Sequence, residues 1–340
     1  MKKLLTLTVF LSLFLSLVFS SGVNAKAYRS FWKTLEDEFP LFLYAERDGI
    51  DGDEIRKEYK KEFSSSSSSA DMVRVFERIA SEYSAYDEMD ISRTLTASVS
   101  GVSIKSTGTA YSSRVPFLPE SNAVVITIKS FEEEDLDIES IVSELSEIRF
   151  VSDIIIDVRG CRKGESCNLD SLLSLFGGEW SYPYRAFFRN KETALLYYKD
   201  DIIYTRSNRY GLDAYVDVTY EKSYGKGRLS SIFSEARRWL LVDSDTSCTA
   251  DFLSSFAVAT GWATVVGENT YGNGTGGPRH VYTLGGNSGY SLTFNPCVID
   301  NGKGGIKALT GVTPDIPIKN GEDALEKCLE TIGQIGNDSE

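Results

Sequence analysis

The sequence has few basic residues, a single histidine and no second long apolar run, and these shortages exclude several classes of function. Basic residues number 36 against 49 acidic ones, a formal net charge of −13, and no basic stripe emerges, which argues against nucleic acid or anionic lipid as partners. The acidic segment Asp48–Glu54 lacks the ligand spacing of a calcium loop, so a solvated turn is expected there. We expect no metal, no cofactor and, after the N-terminal segment, no membrane span.

The rest of the composition is that of an ordinary globular protein. Hydrophobic residues make up 41% and charged residues 25% of the 340 positions, proportions that favour a folded chain over a disordered one. A chain of this length can bury a large core. We therefore expect one large domain with a small helical appendage.

Residues 1–25 have the features of a signal peptide. Two lysines precede an apolar stretch, Leu4–Phe19, and Val23–Ala25 places small residues where a signal peptidase cleaves. We expect an exported protein, secreted or periplasmic, that is cleaved after Ala25. An uncleaved N-terminal anchor is the alternative, although the apolar stretch is short and polar residues follow it.

All five cysteines follow this segment, at Cys161, Cys167, Cys248, Cys297 and Cys328. In an oxidising compartment an odd number leaves at least one thiol unpaired or bonded to another molecule. A Cys161–Cys167 bridge with a Cys297–Cys328 bridge would leave Cys248 as a thiol. The sequence permits other pairings.

The spacing of apolar residues predicts an N-terminal helical subdomain over residues 26–93. One apolar stripe runs from Phe31 to Phe42 and a second from Met72 to Ala80, and the serine run that precedes the second can cap its helix. Residues 94–334 are predicted to form one α/β domain. A polar tail is expected at 335–340.

The period of the pattern changes after Thr94. Strands are predicted at Ala97–Ile104, Ala123–Ile128 and Asp153–Val158, and the helix Ile138–Ile148 between the last two favours a parallel βαβ unit. The later predicted elements are a helix at Leu169–Phe176, hairpins in Tyr182–Tyr224, a short helix at Ser231–Arg238, and the closing segments Pro314–Ile318 and a helix at Asp323–Ile332.

The segment Leu240–Gly276 has the layout of an enzyme that carries a nucleophile at a helix N-terminus. It contains an apolar strand, a sharp elbow, a helix that stops at Gly261, a second strand and a glycine-rich turn. Cys248 lies at the elbow, where unpaired N–H groups and the helix dipole favour an anion. The alternative is that Cys248 is a small buried hydrophobic residue.

Five separated segments resemble one family, the tail-specific (C-terminal processing) proteases, in the branch with tricorn-like and retinoid-binding-protein-like domains. The segments are Phe31–Asp51, Asp153–Gly160, Thr246–Asp251, Val266–Gly272 and Gly311–Asp315. The resemblance implies a ClpP/crotonase-like α/β core, an N-terminal helical subdomain and a peptide cleft beside the elbow. No insertion of the size of a PDZ module is apparent.

The resemblance also implies the roles of single residues. The family's nucleophilic serine corresponds to Cys248. The lysine of its Ser-Lys form corresponds to Asn273, and the histidine of its tricorn-like form corresponds to Met89. Glu268 is retained. Conventional serine catalysis is therefore expected to be lost.

The family's oxyanion turn is altered in this chain. Cys161, Arg162 and Lys163 replace residues that are usually Asn and Gly, so the turn is expected to depend on Gly160 and Gly164, with Thr249 at the elbow. A missing general acid or base typically forfeits about 10²–10⁴ in rate, and a cysteine avoids only part of that loss.

Two functions remain open. The first is a peptidase in which Cys248 attacks a peptide carbonyl, with Glu268, Asn273 or His280 assisting; a surface position is the alternative for His280. The second is a pseudopeptidase that binds a peptide or a protein partner without cutting it. A lyase or acyl-transfer role on the same fold has no residue evidence.

Overall fold

The structure is a computed structural model that describes most of the chain after residue 23. The described residues are 24–66, 68–84, 89–93, 117–119, 121–132, 136–146, 148, 150–162, 164, 166–198, 203–204, 212, 214–233, 235–272, 279–285, 288–300 and 307–337. No helix in these ranges has the length and apolar character to cross a membrane. The signal segment lies almost wholly outside them, so export and cleavage after Ala25 stay predictions.

The chain divides into two compact units, each assembled from three separate segments. The first unit combines Met1–Ile104, Phe188–Ala214 and Arg279–Cys297, and the second combines Lys105–Phe187, Tyr215–Pro278 and Val298–Glu340. The domain boundary predicted between residues 93 and 94 would instead make each domain one continuous stretch of the chain. That boundary stays a prediction.

The first unit begins with helices. They are α1 (24–38), α2 (Phe42–Arg47), α3 (Gly52–Ser65) and α4 (Ser69–Glu82). A capping box starts α4, because the Ser68 side chain accepts the Asp71 N–H while the Asp71 carboxylate accepts the Ser68 N–H. The predicted role of the serine run as a cap is confirmed.

An aromatic cluster joins these helices to a three-stranded antiparallel sheet. The strands are β1 (Asp90–Arg93), β10 (His280–Leu284) and β11 (Tyr290–Phe294), in the order β1-β11-β10. Phe76 stacks on Phe31 with ring centroids 4.8 Å apart and meets Tyr290 edge-on at 5.7 Å. Large rings from both layers therefore form the core of this unit. The unit also contains α7 (Lys191–Tyr197) and the short β6 (Ile203–Tyr204).

The second unit is built on a six-stranded sheet of order β13-β9-β8-β4-β3-β2. The strands are β2 (Phe117–Leu118), β3 (Ala123–Thr127), β4 (Asp153–Asp157), β8 (Arg237–Val242), β9 (Thr264–Gly267) and β13 (Ile316–Pro317). The pairings are parallel, except that β2 runs antiparallel to β3. The predicted parallel βαβ unit is confirmed, with α5 (Ile138–Ser146) between β3 and β4.

Both faces of this sheet are covered. Every residue of β4 is buried, as expected for a central parallel strand. Val124, Ile154 and Leu240 pack in the large core beneath α5, α6 (Ser166–Phe176) and α9 (Cys248–Thr260). The alternating residues Val125 and Ile155 pack on the other face against α11 (Ala324–Asn337).

A second sheet lies in the region where hairpins were predicted. Strands β5 (Glu179–Phe188) and β7 (Ala214–Ser223) pair within it, and β12 (Cys297–Ile299) extends it in the order β12-β5-β7. The hairpin prediction is wrong in detail, since α7 separates the two long strands. The helix predicted at Ser231–Arg238 is also too long, because α8 ends at Phe233 and β8 starts at Arg237.

The predicted α/β fold class is confirmed, and the described residues contain no PDZ module. The strand predicted at Ala97–Ile104 lies outside them. The Cys297–Cys328 pairing is wrong, because Cys328 is a free thiol buried on α11 beneath the sheet. The Cys161–Cys167 pairing involves a side chain outside the described part of the chain.

Candidate active site

The elbow begins in a tight turn after β8 at the carboxyl edge of the parallel sheet. The carboxylate of Asp243 holds the turn: its Oδ1 accepts the Asp245 N–H at 3.1 Å and the Thr246 hydroxyl at 2.9 Å. The same oxygen accepts the N–H of Gly160 at 3.0 Å, from the loop after β4. One short aspartate side chain thus joins the two loops that form the site.

Cys248 is the first residue of α9 and has a backbone conformation that is rare for a side-chain-bearing residue. Its φ is +54°, and Asn122 is the only other described non-glycine residue with a positive φ. Such left-handed geometry is strained and tends to occur at functional sites. Cys248 is partly exposed, so the alternative of a fully buried cysteine is wrong.

The loop that follows β4 lies along the elbow and is bonded to three of its groups. The Ser247 N–H donates to the Cys161 carbonyl at 2.9 Å, and the Ser247 hydroxyl donates to the Arg162 carbonyl at 3.3 Å. The Thr249 hydroxyl donates to the Gly164 carbonyl at 2.6 Å. The predicted turn residues Gly164 and Thr249 are therefore brought together.

Gly164 occupies a position that only glycine can fill. Its φ is +134°, and a Cβ built there would lie 2.1 Å from the Cβ of Phe131, a residue with no exposed surface. Gly160, by contrast, has a φ of +70° and open space around the same position. The backbone of the loop therefore lies against Phe131 at one end only.

A second segment, the strap Thr270–Gly272, holds the elbow from the other side. The N–H of Cys248 donates to the Gly272 carbonyl at 3.2 Å, and the Tyr271 N–H donates to the Thr246 carbonyl at 2.9 Å. The N–H of Cys248 is thus engaged. The N–H groups of Thr249 and Ala250 come next, at the positive end of the helix, and precede the first bond along the helix, which Asp251 donates to the Ser247 carbonyl at 3.4 Å.

Two buried polar residues beside Cys248 were not selected from the sequence. Asp251 has no exposed surface and Thr270 has 3%. The Thr270 hydroxyl donates to the Asp251 carboxylate and accepts the Val312 N–H at 2.6 Å. A carboxylate in the first turn of a helix whose other side chains are small or apolar could have indicated this contact.

Glu268 lies at the end of β9, on the surface. Its Oε2 accepts the Ser244 N–H at 3.3 Å, so its carboxylate supports the turn that precedes the elbow. Asn273, which follows the strap, lies outside the described residues, as do Asp87 and Glu88, the two residues before Met89.

The only histidine of the chain lies on β10, in the first unit. Its Nδ1 is 2.7 Å from the Tyr197 hydroxyl, and its ring meets the Tyr282 ring edge-on at 4.5 Å. Burial lowers the pKa of His280, while the nearby Glu38 charge opposes that shift. Cys248 belongs to the second unit, and a Cys-His pair stays a prediction.

Charged side chains around the elbow are paired with one another. Arg159 donates to Asp157 at 2.9 Å and to Asp323 at 2.8 Å, and hydrogen bonds to Asp157 raise the pKa of its guanidinium. Arg162 pairs with Asp245 on the surface. Within the described ranges, no group of three His, Cys, Asp or Glu side chains could hold a metal ion.

A pocket of about 730 Å³ lies farther along α9. Ser255 and Val258 from the helix line it, together with Tyr184 from β5 and Val312 from the loop bonded to Thr270. The elbow and the pocket therefore share one helix and one loop.

Comparisons with known proteins agree with this architecture. A model of Peptidase family S41 matches residues 122–318, more than half of the chain. A candidate peptidase from Parabacteroides merdae has a similar structure, with a TM-score of 0.56 and 13% identity over 91% of this chain and 96% of that chain. A lipoprotein from Streptococcus agalactiae gives a TM-score of 0.50 and 11% identity over 92% of this chain and 96% of that chain. At these identities the likeness shows the fold alone. No curated protein sequence matches.

Proposed function

The chain belongs to peptidase family S41, and from that premise we propose that it binds polypeptide beside Cys248 and cleaves it through the thiol of that residue. Serine catalysis is lost in this proposal. By resemblance to the family's motifs, Cys248 replaces the nucleophilic serine, Asn273 replaces the lysine of the Ser-Lys form, and Met89 replaces the histidine of the tricorn-like form.

The observation that carries the proposal is the conformation of Cys248. A residue at φ +54°, partly exposed at the start of a helix, keeps a strained geometry that a purely structural cysteine does not need. The bonds from Ser247 and Thr249 to the loop after β4 support the same view, since they hold the elbow in place.

The chemistry requires three balanced steps. The thiol of Cys248 gives its proton to a base, and the thiolate attacks the peptide carbonyl carbon to form a tetrahedral oxyanion, which the N–H groups of Thr249 and Ala250 can stabilise. The C–N bond then breaks, the base returns the proton to the leaving amine, and a thioester remains. Finally, water gives a proton to the base and attacks the thioester, the C–S bond breaks, and the sulfur takes the proton back as the new carboxyl end is released. A helix N-terminus lowers the pKa of a thiol, so cysteine needs less help from a base than serine does. Glu268 and His280 are the candidates for proton transfer, and Asn273 can assist only by hydrogen bonding.

A pseudopeptidase is the second candidate, and one contact favours it. The Cys248 N–H already donates to Gly272, so this group is engaged and cannot serve an oxyanion without a rearrangement. In that case the chain would hold a polypeptide in the cleft without cutting it.

Incubation of the purified protein with unfolded polypeptides separates the two candidates. We expect cleavage that is abolished in Cys248→Ala and blocked by a thiol alkylating agent. Cys297, a buried cysteine on β12, offers the control variant Cys297→Ala, which should cleave normally. Retention of cleavage in Cys248→Ala would refute the thiol mechanism, and binding without cleavage would establish the pseudopeptidase.

Export is part of the proposal. The lysines and the apolar stretch of residues 1–25 support it, and expression of the full chain with N-terminal sequencing of the mature product tests it. A mature chain that begins at Lys26 is expected, and an uncleaved cytoplasmic product would contradict export.

A further inference from the structure

The pocket farther along α9 is a cavity that the proposed chemistry does not use. Its volume of about 730 Å³ is typical of a ligand site. Every residue that lines it belongs to the second unit, on β5, β7, α9, the end of β12 and the segment 310–313. The pocket is therefore a feature of this unit alone.

One part of the pocket is apolar. The Tyr184 ring lines it and meets the Phe252 ring of α9 edge-on, with centroids 5.8 Å apart. Val258, farther along the same helix, lines it with an exposed side chain. An aromatic ring and an exposed aliphatic side chain offer a surface on which the apolar stem of a long side chain can pack.

The other part of the pocket carries one guanidinium and two carboxylates. Arg185 on β5 donates to Asp217 on β7 through Nε at 2.7 Å and Nη2 at 3.0 Å, bonds that raise the pKa of Arg185 and lower the pKa of Asp217. Asp300 lies beside this pair, because its N–H donates to the Arg185 carbonyl at 3.0 Å. Of the charged residues that line the described pocket, two are acidic and one is basic, so the negative charge is in excess.

The wall formed by residues 310–313 is fixed to the strap. The Val312 N–H donates to the Thr270 hydroxyl at 2.6 Å, and the Thr270 N–H donates to the Val312 carbonyl at 3.0 Å. Gly311 has a φ of +61°, and a Cβ there would collide with the Thr270 carbonyl, so its backbone packs directly on the strap. This wall is therefore formed before a ligand binds, which lowers the entropic cost of binding.

We propose that this pocket binds a lysine or arginine side chain of the polypeptide that the chain takes. The aliphatic stem lies on Tyr184 and Val258, and the cationic head bonds to the carboxylates of Asp217 and Asp300. The formal net charge of −13 acts in the same direction, since it attracts basic segments and repels acidic ones. The inference rests on the proposed function, because its ligand is a polypeptide, and it adds a preference for one class of side chain.

Binding of labelled peptides to the Cys248→Ala variant, which is expected not to cleave them, tests the proposal. Fluorescence anisotropy compares three peptides that are identical except for a single arginine, norleucine or glutamate. We expect the arginine peptide to bind about tenfold more tightly than the norleucine peptide, and the glutamate peptide to bind most weakly. The advantage of arginine should shrink as the salt concentration rises.

Replacement of one carboxylate separates the pocket from the general acidity of the protein. Asp300→Asn keeps the shape and removes the excess charge, so it should remove most of the advantage of arginine and leave the norleucine peptide unchanged. Glu179→Gln is the matched control. It removes the same charge at the start of β5, outside the pocket, where the carboxylate accepts the Ser223 hydroxyl at 3.4 Å, and the advantage should persist.

A second pair of variants tests the apolar part. Val258→Arg places a cation in the pocket and should remove the advantage of arginine, whereas Phe150→Arg changes an exposed apolar residue outside the pocket and should not. Equal affinities for the arginine and norleucine peptides, equal effects of Asp300→Asn and Glu179→Gln, or an advantage retained in Val258→Arg would overturn the proposal and leave the proposed function standing. Binding of none of the peptides would refute the proposed function and this inference with it.

Discussion

Replacement of Gly164 by alanine tests whether the loop over the elbow is held as tightly as its contacts indicate. At φ +134° a side chain strains the backbone by about 1–3 kcal/mol. The new Cβ would also fall 2.1 Å from the Cβ of Phe131, and such overpacking of a buried ring costs about 1–3 kcal/mol more. We therefore expect Gly164→Ala to lower the free energy of unfolding by about 4 kcal/mol.

Gly160→Ala is the matched control, because its φ of +70° is left-handed but nothing lies within 4 Å of the added Cβ. It should cost only about 1–2 kcal/mol. For a unit of this size each kcal/mol shifts the melting temperature by about 2–4 °C, so calorimetry should separate the two variants clearly. Gly164→Ala should also slow alkylation of Cys248, since the carbonyl that holds Thr249 must move. Equal melting temperatures for the two variants would refute the reasoning.

Two further predictions concern titratable groups. Burial lowers the pKa of His280 below its usual 6.5, so the folded state binds a proton less readily than the unfolded state. The contribution of neutral His280 to the free energy of unfolding is therefore complete above about pH 6.5, and it is lost as the pH falls through the folded pKa. The resonance of this single histidine, followed by NMR, should titrate below pH 6.5, and a midpoint above that value would contradict the burial. Burial raises the pKa of Cys328 from 9.0 to about 12, so its thiol should stabilise the fold below pH 9 and lose that contribution between pH 9 and 12. Cys328 should resist thiol reagents at pH 8 until the protein is unfolded, and rapid labelling of the native protein would contradict this expectation.

The parallel sheet and the elbow were predictable because their signals are local. Continuous apolar runs at β3 and β4 with a helix between them indicate a buried parallel pair, and Gly261 marks the end of α9. The confirmed family resemblance has the same origin. Its motifs are short loops and turns whose backbone geometry demands particular residues at fixed spacings.

The start of β8 could not be found in the same way. Arg237 and Arg238 look like exposed helix residues in sequence, but the Arg237 guanidinium donates to the buried Asp153 at 2.8 Å and Arg238 donates to the Trp262 carbonyl at 2.7 Å. Those partners lie 84 and 24 residues away. Strand formation there depends on tertiary contacts that a local pattern does not contain.

The position of the candidate nucleophile was predictable from the sequence, but the buried contacts beside it were not. Cys248 follows a turn signal, whereas the burial of Asp251 and its bond to Thr270 depend on the return of the chain 19 residues later. The surroundings of His280 are likewise tertiary, since Tyr197 is 83 residues away in sequence.

The interleaving of the two units along the chain has a consequence for synthesis on the ribosome. The first unit is complete only after Cys297 has been synthesised. The second unit also contains β13 and α11, which come later still in the chain. Neither unit can therefore finish folding while the nascent chain is short, and unpaired strand edges stay accessible to chaperones through most of translation. Expression temperature and chaperone supply should thus influence the soluble yield of this protein more than they would for a chain whose units follow one another.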